Sequence, residues 1–227
     1  MAADDRVHHF KGGMSMQYVL EFLGLMAVFS IFIVVPGADF AVILRQSIVH
    51  GRRAAIMTGI GMGFSLLFHI SYTILGLGLI VSQSLMLFAM IKWAGVAYLV
   101  YLGIKSFRAP GFNVADINVS EEDRKPISAL RCLGMGFITN ALNPKPVLFF
   151  LSLFSTLVHH DTPGLIQFSY GIGMATALVA WFAAVSTFFT VKAVRDRFIA
   201  SGKWFNRITG AALVGFGFRL ALARAAD

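Results

Sequence analysis

Residues 133–158, LGMGFITNALNPKPVLFFLSLFSTLV, form an apolar stretch long enough to cross a bilayer, which takes about 20 helical residues. Its middle carries Asn140, Asn143, Pro144, Lys145 and Pro146. Proline has no backbone N–H and clashes with the preceding turn, so the carbonyl groups of residues 140–142 should lose their helical partners. Such carbonyl groups and an ammonium are tolerated at membrane depth only beside protein or a water-filled cavity. The stretch therefore predicts a binding site inside a membrane protein.

The composition is that of a membrane protein. Of the 227 residues, 57% are hydrophobic and 13% are charged, whereas soluble domains carry about 25% charged residues. The formal charge of +8 comes from basic residues between apolar segments, which indicates topology signals and no nucleic-acid partner. A single cysteine, Cys132, excludes an intramolecular disulfide. We expect an all-α integral membrane protein whose main surroundings are the lipid bilayer.

Six apolar segments follow a polar N-terminal tail, residues 1–15. The segments cover about residues 18–44, 54–81, 85–104, 133–158, 165–191 and 204–222. We treat residues 16–227 as a single transmembrane domain. Within it, a linker at about 106–131 separates a first half at about 16–105 from a second half at about 132–222.

Basic residues are concentrated in alternate loops. The loops after the first, third and fifth segments carry lysine and arginine, whereas those after the second and fourth carry neither. Short loops rich in these residues stay in the cytoplasm. With six spans, both termini are then predicted outside the cytoplasm, and Glu21, near the outer end of the first segment, is expected to reach lipid headgroups.

The first and fourth segments are interrupted in a similar way. The first contains PGAD at residues 36–39, and the fourth contains NPKP at residues 143–146. Each is followed by two further segments, and three spans per half would insert the second half upside down relative to the first. Paired broken helices of inverted repeats form the midplane sites of secondary transporters. We therefore predict six transmembrane helices as two inverted three-helix repeats with broken first helices.

Three stretches resemble the LysE/RhtB family of amino-acid exporters. They are PGADFAVILRQSIVHGRRAAIMTGIGMGFSLLFHISYTILGLG from Pro36, WAGVAYLVYLGIKSFR from Trp93 and GFITNALNPKPVLFFLSLFS from Gly136. The resemblance covers nearly all of residues 16–222. It implies a six-span inner-membrane carrier that expels amino acids or close derivatives, driven by the proton gradient. Ala38 stands where the family commonly has proline, while Asp39 resembles the threonine and homoserine exporter branch, so the substrate class is not simply inherited.

The candidate substrate-binding residues surround the two breaks. They are Pro36, Gly37, Asp39, Asn140, Asn143, Pro144 and Lys145. Lys145 is either an ammonium that receives a substrate carboxylate or the partner of Asp39 in a structural ion pair. Asp39 can accept an amino group or a proton, or it can cap the helix that restarts after Gly37, and the sequence does not decide its charge. We expect a structural role for Asn140, a mixed role for Asn143, and anion-binding backbone donors at the restarted helix ends.

Other residues within the segments allow two interpretations each. His69 is either a proton relay, because imidazole titrates near neutral pH, or a hydrogen-bonded core residue. Tyr98 and Tyr101 share a helix face, which favours packing over substrate contact. Gly59 and Gly63 predict the close approach of another helix, and such glycine pairs would also permit a homodimer.

Export of a small, threonine-like or homoserine-like amino acid by proton antiport is the favoured function. The alternative is a transporter of metal ions or other cations, but hard cations need several oxygen ligands, and Asp39 is almost the only carboxylate inside the segments. No HExxH, GxSxG, CxxC or GxxxxGK[ST] motif is present. We therefore expect no enzyme activity, no catalytic residues, no bound metal and no cofactor.

Overall fold

The computed structural model describes residues 2–110, 126–188 and 192–225, and the regular secondary structure of that part of the chain is entirely helical. Its eight helices are α1 (Ala2–Val34), α2 (Ala38–Val49), α3 (Arg52–Gln83), α4 (Leu85–Arg108), α5 (Ala129–Ala141), α6 (Pro144–Leu157), α7 (Gly164–Phe188) and α8 (Lys192–Ala225). The all-α prediction is confirmed. Residues 111–125, most of the predicted linker, lie outside the described residues.

Four of the described helices contain stretches that are long and apolar enough to cross a membrane. These stretches are Met16–Val34, Arg52–Ile80, Met86–Arg108 and Gly164–Phe188. Large apolar side chains on them remain exposed, such as Leu75 at 69% and Met86 at 76%, as expected for surfaces that face lipid. The chain is thus a helical membrane protein. Helices α5 and α6 have only 13 and 14 residues and are each too short to span alone.

Both predicted helix breaks are present. Helix α1 ends at Val34, and α2 restarts at Ala38 with Gly37 as its N-cap in extended backbone. Helix α6 starts with Pro144, a position where a missing N–H loses no hydrogen bond. The side chain of Asn143 accepts a hydrogen bond from the Lys145 backbone N–H at 3.0 Å. The prolines therefore separate pairs of helices and do not merely bend one.

Glycines let α3 approach α7 closely. A Cβ atom added at Gly59 would lie 3.1 Å from the Cβ of Phe182, and one at Gly63 would lie 2.7 Å from Val179 Cγ2. The close approach predicted from this glycine pair is confirmed. Because both positions are covered by α7 of the same chain, this pair is not available for a dimer contact.

The opposite side of α3 packs even more tightly against α5. A Cβ atom at Gly61 would overlap the carbonyl oxygen of Leu133, and one at Gly136 would overlap that of Thr58. Only glycine lets the two backbones meet at this distance. Helices α4 and α8 approach each other similarly at Gly103.

Basic residues lie toward one end of the bundle. His50 and Arg53, at the α2–α3 turn, line a cavity together with Ala129 at the start of α5. Helix α3 runs to the other end of the bundle, and α4 returns to the end that holds His50 and Arg53. There, just after α4, the Pro110 carbonyl accepts a hydrogen bond from Asn206 of α8 at 3.0 Å. We call this the basic end.

Glu21 lies toward the opposite end and is only 8% exposed. Its carboxylate accepts hydrogen bonds from the His159 backbone N–H at 3.2 Å and from the Tyr170 hydroxyl at 3.1 Å, and the Thr162 hydroxyl lies 3.0 Å from both of its oxygens. The expectation that Glu21 reaches headgroups is therefore wrong. The α6–α7 connection covers the carboxylate. The hydrogen bond from Tyr170 of α7 to Glu21 of α1 joins these two helices.

Candidate functional site

The two helix breaks meet in the interior through Asp39. Its Oδ2 accepts a hydrogen bond from Asn140 Nδ2 at 2.7 Å, and its Oδ1 accepts one from Asn143 Nδ2 at 3.3 Å. Asn140 belongs to the last turn of α5, whereas Asn143 caps α6. One carboxylate in the first turn of α2 thus joins both sides of the second break.

The N-cap role considered for Asp39 is wrong. Gly37 is the N-cap of α2, and Asp39 lies two residues further on. Gly37 has no side chain that could cap α2. The anion-binding role expected for backbone N–H groups at the restarted helix ends stays a prediction.

Lys145 places its ammonium group at the first break. The Nζ atom lies 3.5 Å from the Val35 carbonyl oxygen and 4.5 Å from the centroid of the Phe32 ring. Among the described residues, no salt bridge within 4.0 Å joins Lys145 to Asp39. The ion-pair alternative is therefore not realised, and the ammonium makes one long hydrogen bond and one cation–π contact.

His69 contacts the second break at the last turn of α5. In a continuous helix the Asn140 carbonyl would accept from residue 144, but Pro144 has no N–H. This carbonyl oxygen accepts from the Asn143 backbone N–H at 3.1 Å instead, and His69 Nε2 also lies 3.1 Å from it. A carbonyl can only accept, so Nε2 carries a proton, and in a neutral ring Nδ1 then accepts from the Tyr72 hydroxyl. The fully buried ring thus has the contacts of a hydrogen-bonded core histidine.

The break residues enclose a small central cavity of about 20 Å³. Its polar wall consists of Asp39, Asn140, Asn143 and Lys145, and Gly37 also lines it. Such a volume holds about one water molecule, so the conformation is closed around far less than an amino acid. Among the four polar side chains of this wall, Asn140 has a buried Oδ1 atom that accepts no hydrogen bond from the described residues.

The remaining predicted residues, Pro36 and Pro144, lie outside this central cavity. They line a larger cavity of about 420 Å³ on its α4 side. Tyr98 also lines that cavity, and its hydroxyl lies 3.4 Å from the Lys145 carbonyl oxygen, which supports the predicted packing role between α4 and α6.

Sequence reasoning missed Tyr72 as the partner of His69. The signal was present, because a residue three positions further along a helix lies on the same face. Sequence reasoning could not have found the contact of His69 with Asn140, which are 71 positions apart.

A separate group of exposed polar side chains occupies the α6–α7 connection. In the described part of the chain, His159, His160 and Asp161 are the group whose ligand atoms all lie within 4.8 Å of one another. This group lies near Glu21 and away from the breaks. Among the described residues, Asp39 is the carboxylate at the breaks. A hard cation needs several oxygen ligands, so one carboxylate makes a poor site for it.

Comparison with known proteins finds similar sequences over most of the chain. The model of the LysE type translocator family matches residues 30–224. The Uncharacterized membrane protein YahN of Escherichia coli is 29% identical over 216 residues, which are 94% of this chain and 95% of that protein. The Threonine efflux protein of Salmonella typhi is 26% identical over 189 residues, 83% of this chain and 91% of that protein.

A third relative is more similar over a shorter stretch. The Homoserine/homoserine lactone efflux protein of Salmonella typhimurium is 33% identical over 144 residues, 63% of this chain and 67% of that protein. No solved structure matches the chain. The comparisons therefore rest on sequence. The stretch that matches the family model contains the residues of both breaks.

Proposed function

Because the chain belongs to the LysE type translocator family, we propose that it is a secondary transporter that exports a small amino acid of threonine or homoserine type across the inner membrane. The observation that carries the proposal is the meeting of two broken helices around Asp39, Asn140, Asn143 and Lys145. Relatives named for threonine efflux and for homoserine efflux support the substrate class.

The proposed architecture has six spans in two inverted repeats. Helices α1–α2 and α5–α6 each form one broken span, and α3, α4, α7 and α8 form the other four. The packing of α3 against α7 and of α4 against α8 supports the repeat, because these helices hold equivalent places in the two halves. The basic end then faces the cytoplasm and both termini lie outside. A C-terminal reporter that works only in the cytoplasm should be inactive, and activity would contradict this orientation.

The proposed binding mode suits a zwitterion. The substrate carboxylate binds Lys145, beside the start of α2. This exchanges a 3.5 Å contact with the Val35 carbonyl for a shorter, charge-assisted hydrogen bond. The substrate ammonium binds Asp39 and the buried Oδ1 of Asn140, the acceptor that has no donor among the described residues.

Transport by everted membrane vesicles tests the proposed function. An imposed pH gradient should drive uptake of labelled threonine or homoserine, and vesicles from cells without the protein should show none. Parallel vesicles receive cadmium or manganese. Metal uptake without amino-acid uptake would contradict the proposal and favour the cation transporter.

Asp39→Asn should uncouple transport from protons. We propose Asp39 as the site that takes the proton, because among the described residues it is the carboxylate at the breaks and it contacts both sides of the second one. An amide in its place has one acceptor and cannot be protonated, and a buried donor left unpaired costs about 1–3 kcal/mol. At saturating substrate, uptake driven by a pH gradient should fall about tenfold more than exchange of labelled for unlabelled substrate at equal pH, since exchange loses only the charge contact to the substrate ammonium. An unchanged response to the gradient would remove Asp39 from the coupling step.

His69→Ala separates the two roles considered for this residue. Its contacts favour the structural role, since removal takes away one of the two donors to the buried Asn140 carbonyl and the ring partner of the Tyr72 hydroxyl, and each lost hydrogen bond costs about 0.5–1.5 kcal/mol. We expect a lower unfolding temperature in detergent, with the ratio of gradient-driven to equal-pH transport unchanged. The reverse result, normal stability with lost coupling, would assign His69 the proton relay. Tyr72→Phe serves as the matched control, because it removes only the hydroxyl that faces Nδ1.

A further inference from the structure

The larger cavity at the breaks has features that the central site does not use. We call it the vestibule. It measures about 420 Å³ and is lined by residues 35–38, by residues 143–145 and by α4. Ligand pockets commonly measure about 300–1,000 Å³, so the vestibule can hold a small amino acid, whereas the central cavity of about 20 Å³ cannot. Lys145 and Gly37 line both cavities and thus lie between them.

The vestibule is cationic. Lys105 of α4 lines its wall together with Lys145. The described residues that line the vestibule include no carboxylate. Two positive charges without a negative one favour an anion in a low-dielectric cleft.

Ser106 offers the vestibule a hydroxyl that is not used elsewhere. The residue is 4% exposed, and its Oγ has no hydrogen-bond partner among the residues that the structure describes. Serine in a helix commonly bonds to a carbonyl of the preceding turn, which the Ser106 hydroxyl does not do. A buried hydroxyl without a partner lowers stability unless a ligand supplies one.

We propose that the vestibule is a second substrate site, in which Lys105 and Ser106 bind the α-carboxylate of an amino acid before Lys145 receives it. The inference rests on the proposed function, because its ligand is the exported amino acid. Lys105 lies near the C-terminal end of α4 at the basic end, from which the substrate would arrive. Movement of the Lys145 side chain would then pass the carboxylate from the vestibule to the central site.

Lys105→Gln tests the vestibule, with Arg108→Gln as its matched control. Arg108 occupies the same last turn of α4 but does not line the vestibule. In proteoliposomes, threonine transport from the basic side should show a KM raised about three- to tenfold for Lys105→Gln, as expected for loss of one partly screened charge contact. Its maximal rate should change less than about twofold, and Arg108→Gln should match the wild type. Ser106→Ala should also raise KM, whereas Lys105→Arg, which keeps the positive charge, should have the wild-type KM.

The outcomes separate the vestibule from the proposed function. If wild-type protein transports no amino acid, both proposals fail. If it transports threonine and Lys105→Gln has the wild-type KM, or Arg108→Gln raises KM equally, the vestibule alone is overturned. High salt should shrink the difference between Lys105→Gln and wild type, because it screens the charge of Lys105.

Discussion

Replacing Lys145 with alanine is expected to lower amino-acid export about a hundredfold. The proposed carboxylate partner disappears, and removing one member of a buried, hydrogen-bonded charge pair costs about 2–5 kcal/mol, where each 1.36 kcal/mol is about tenfold in rate. The measurement is efflux of labelled threonine from proteoliposomes, normalised to the amount of inserted protein.

The same variant should remain folded. In this conformation the ammonium has a 3.5 Å contact to the Val35 carbonyl and a cation–π contact to Phe32. Loss of these two contacts is offset by removing a charge from an apolar interior. Size-exclusion chromatography and the unfolding temperature in detergent should therefore match the wild type.

Two further lysine variants make the result specific. Lys203→Ala, at an exposed position of α8, should export like the wild type. Lys145→Arg keeps the charge but needs more room than the central cavity of about 20 Å³ provides, so export should be only partly restored. Full export by Lys145→Ala would refute the role given to this residue.

Gly136→Ala is expected to prevent stable assembly of the bundle. The new Cβ would overlap the Thr58 carbonyl oxygen, and a backbone atom cannot move away by changing a rotamer. Overpacking typically costs about 1–3 kcal/mol, and we expect a loss of about 3 kcal/mol here because the helices α3 and α5 must separate. The measurement is the unfolding temperature of the purified protein, with the yield of monodisperse protein as a second readout.

Gly134→Ala is the matched control on the same helix. No described atom lies within 4 Å of a Cβ added there, and alanine favours a helix over glycine by about 1 kcal/mol. This variant should be as stable as the wild type or more so. Gly61→Ala, which faces the Leu133 carbonyl across the same interface, should behave like Gly136→Ala. A wild-type unfolding temperature for Gly136→Ala would contradict the tight packing of α3 and α5.

Local chemistry explains what could be predicted from the sequence. The missing N–H of Pro144 belongs to one residue, so the break between α5 and α6 follows wherever the neighbours lie. The same holds for the break at Pro36. Gly59 and Gly63 share a helix face by spacing alone, so a close helix contact was predictable although its partner, α7, was not. Helix α8, in contrast, begins at Lys192, and its charged first turns had indicated a linker.

By itself, the sequence determined that this is a helical membrane protein with two proline breaks, because apolar length and proline geometry act over a few residues. Only the tertiary structure decided where the polar groups go. Asp39 joins Asn140 and Asn143 across 101 and 104 positions, and Glu21 is covered by a connection 138 positions away. The size of the central cavity likewise depends on how helices distant in sequence pack, and no spacing of residues along the chain specifies that packing.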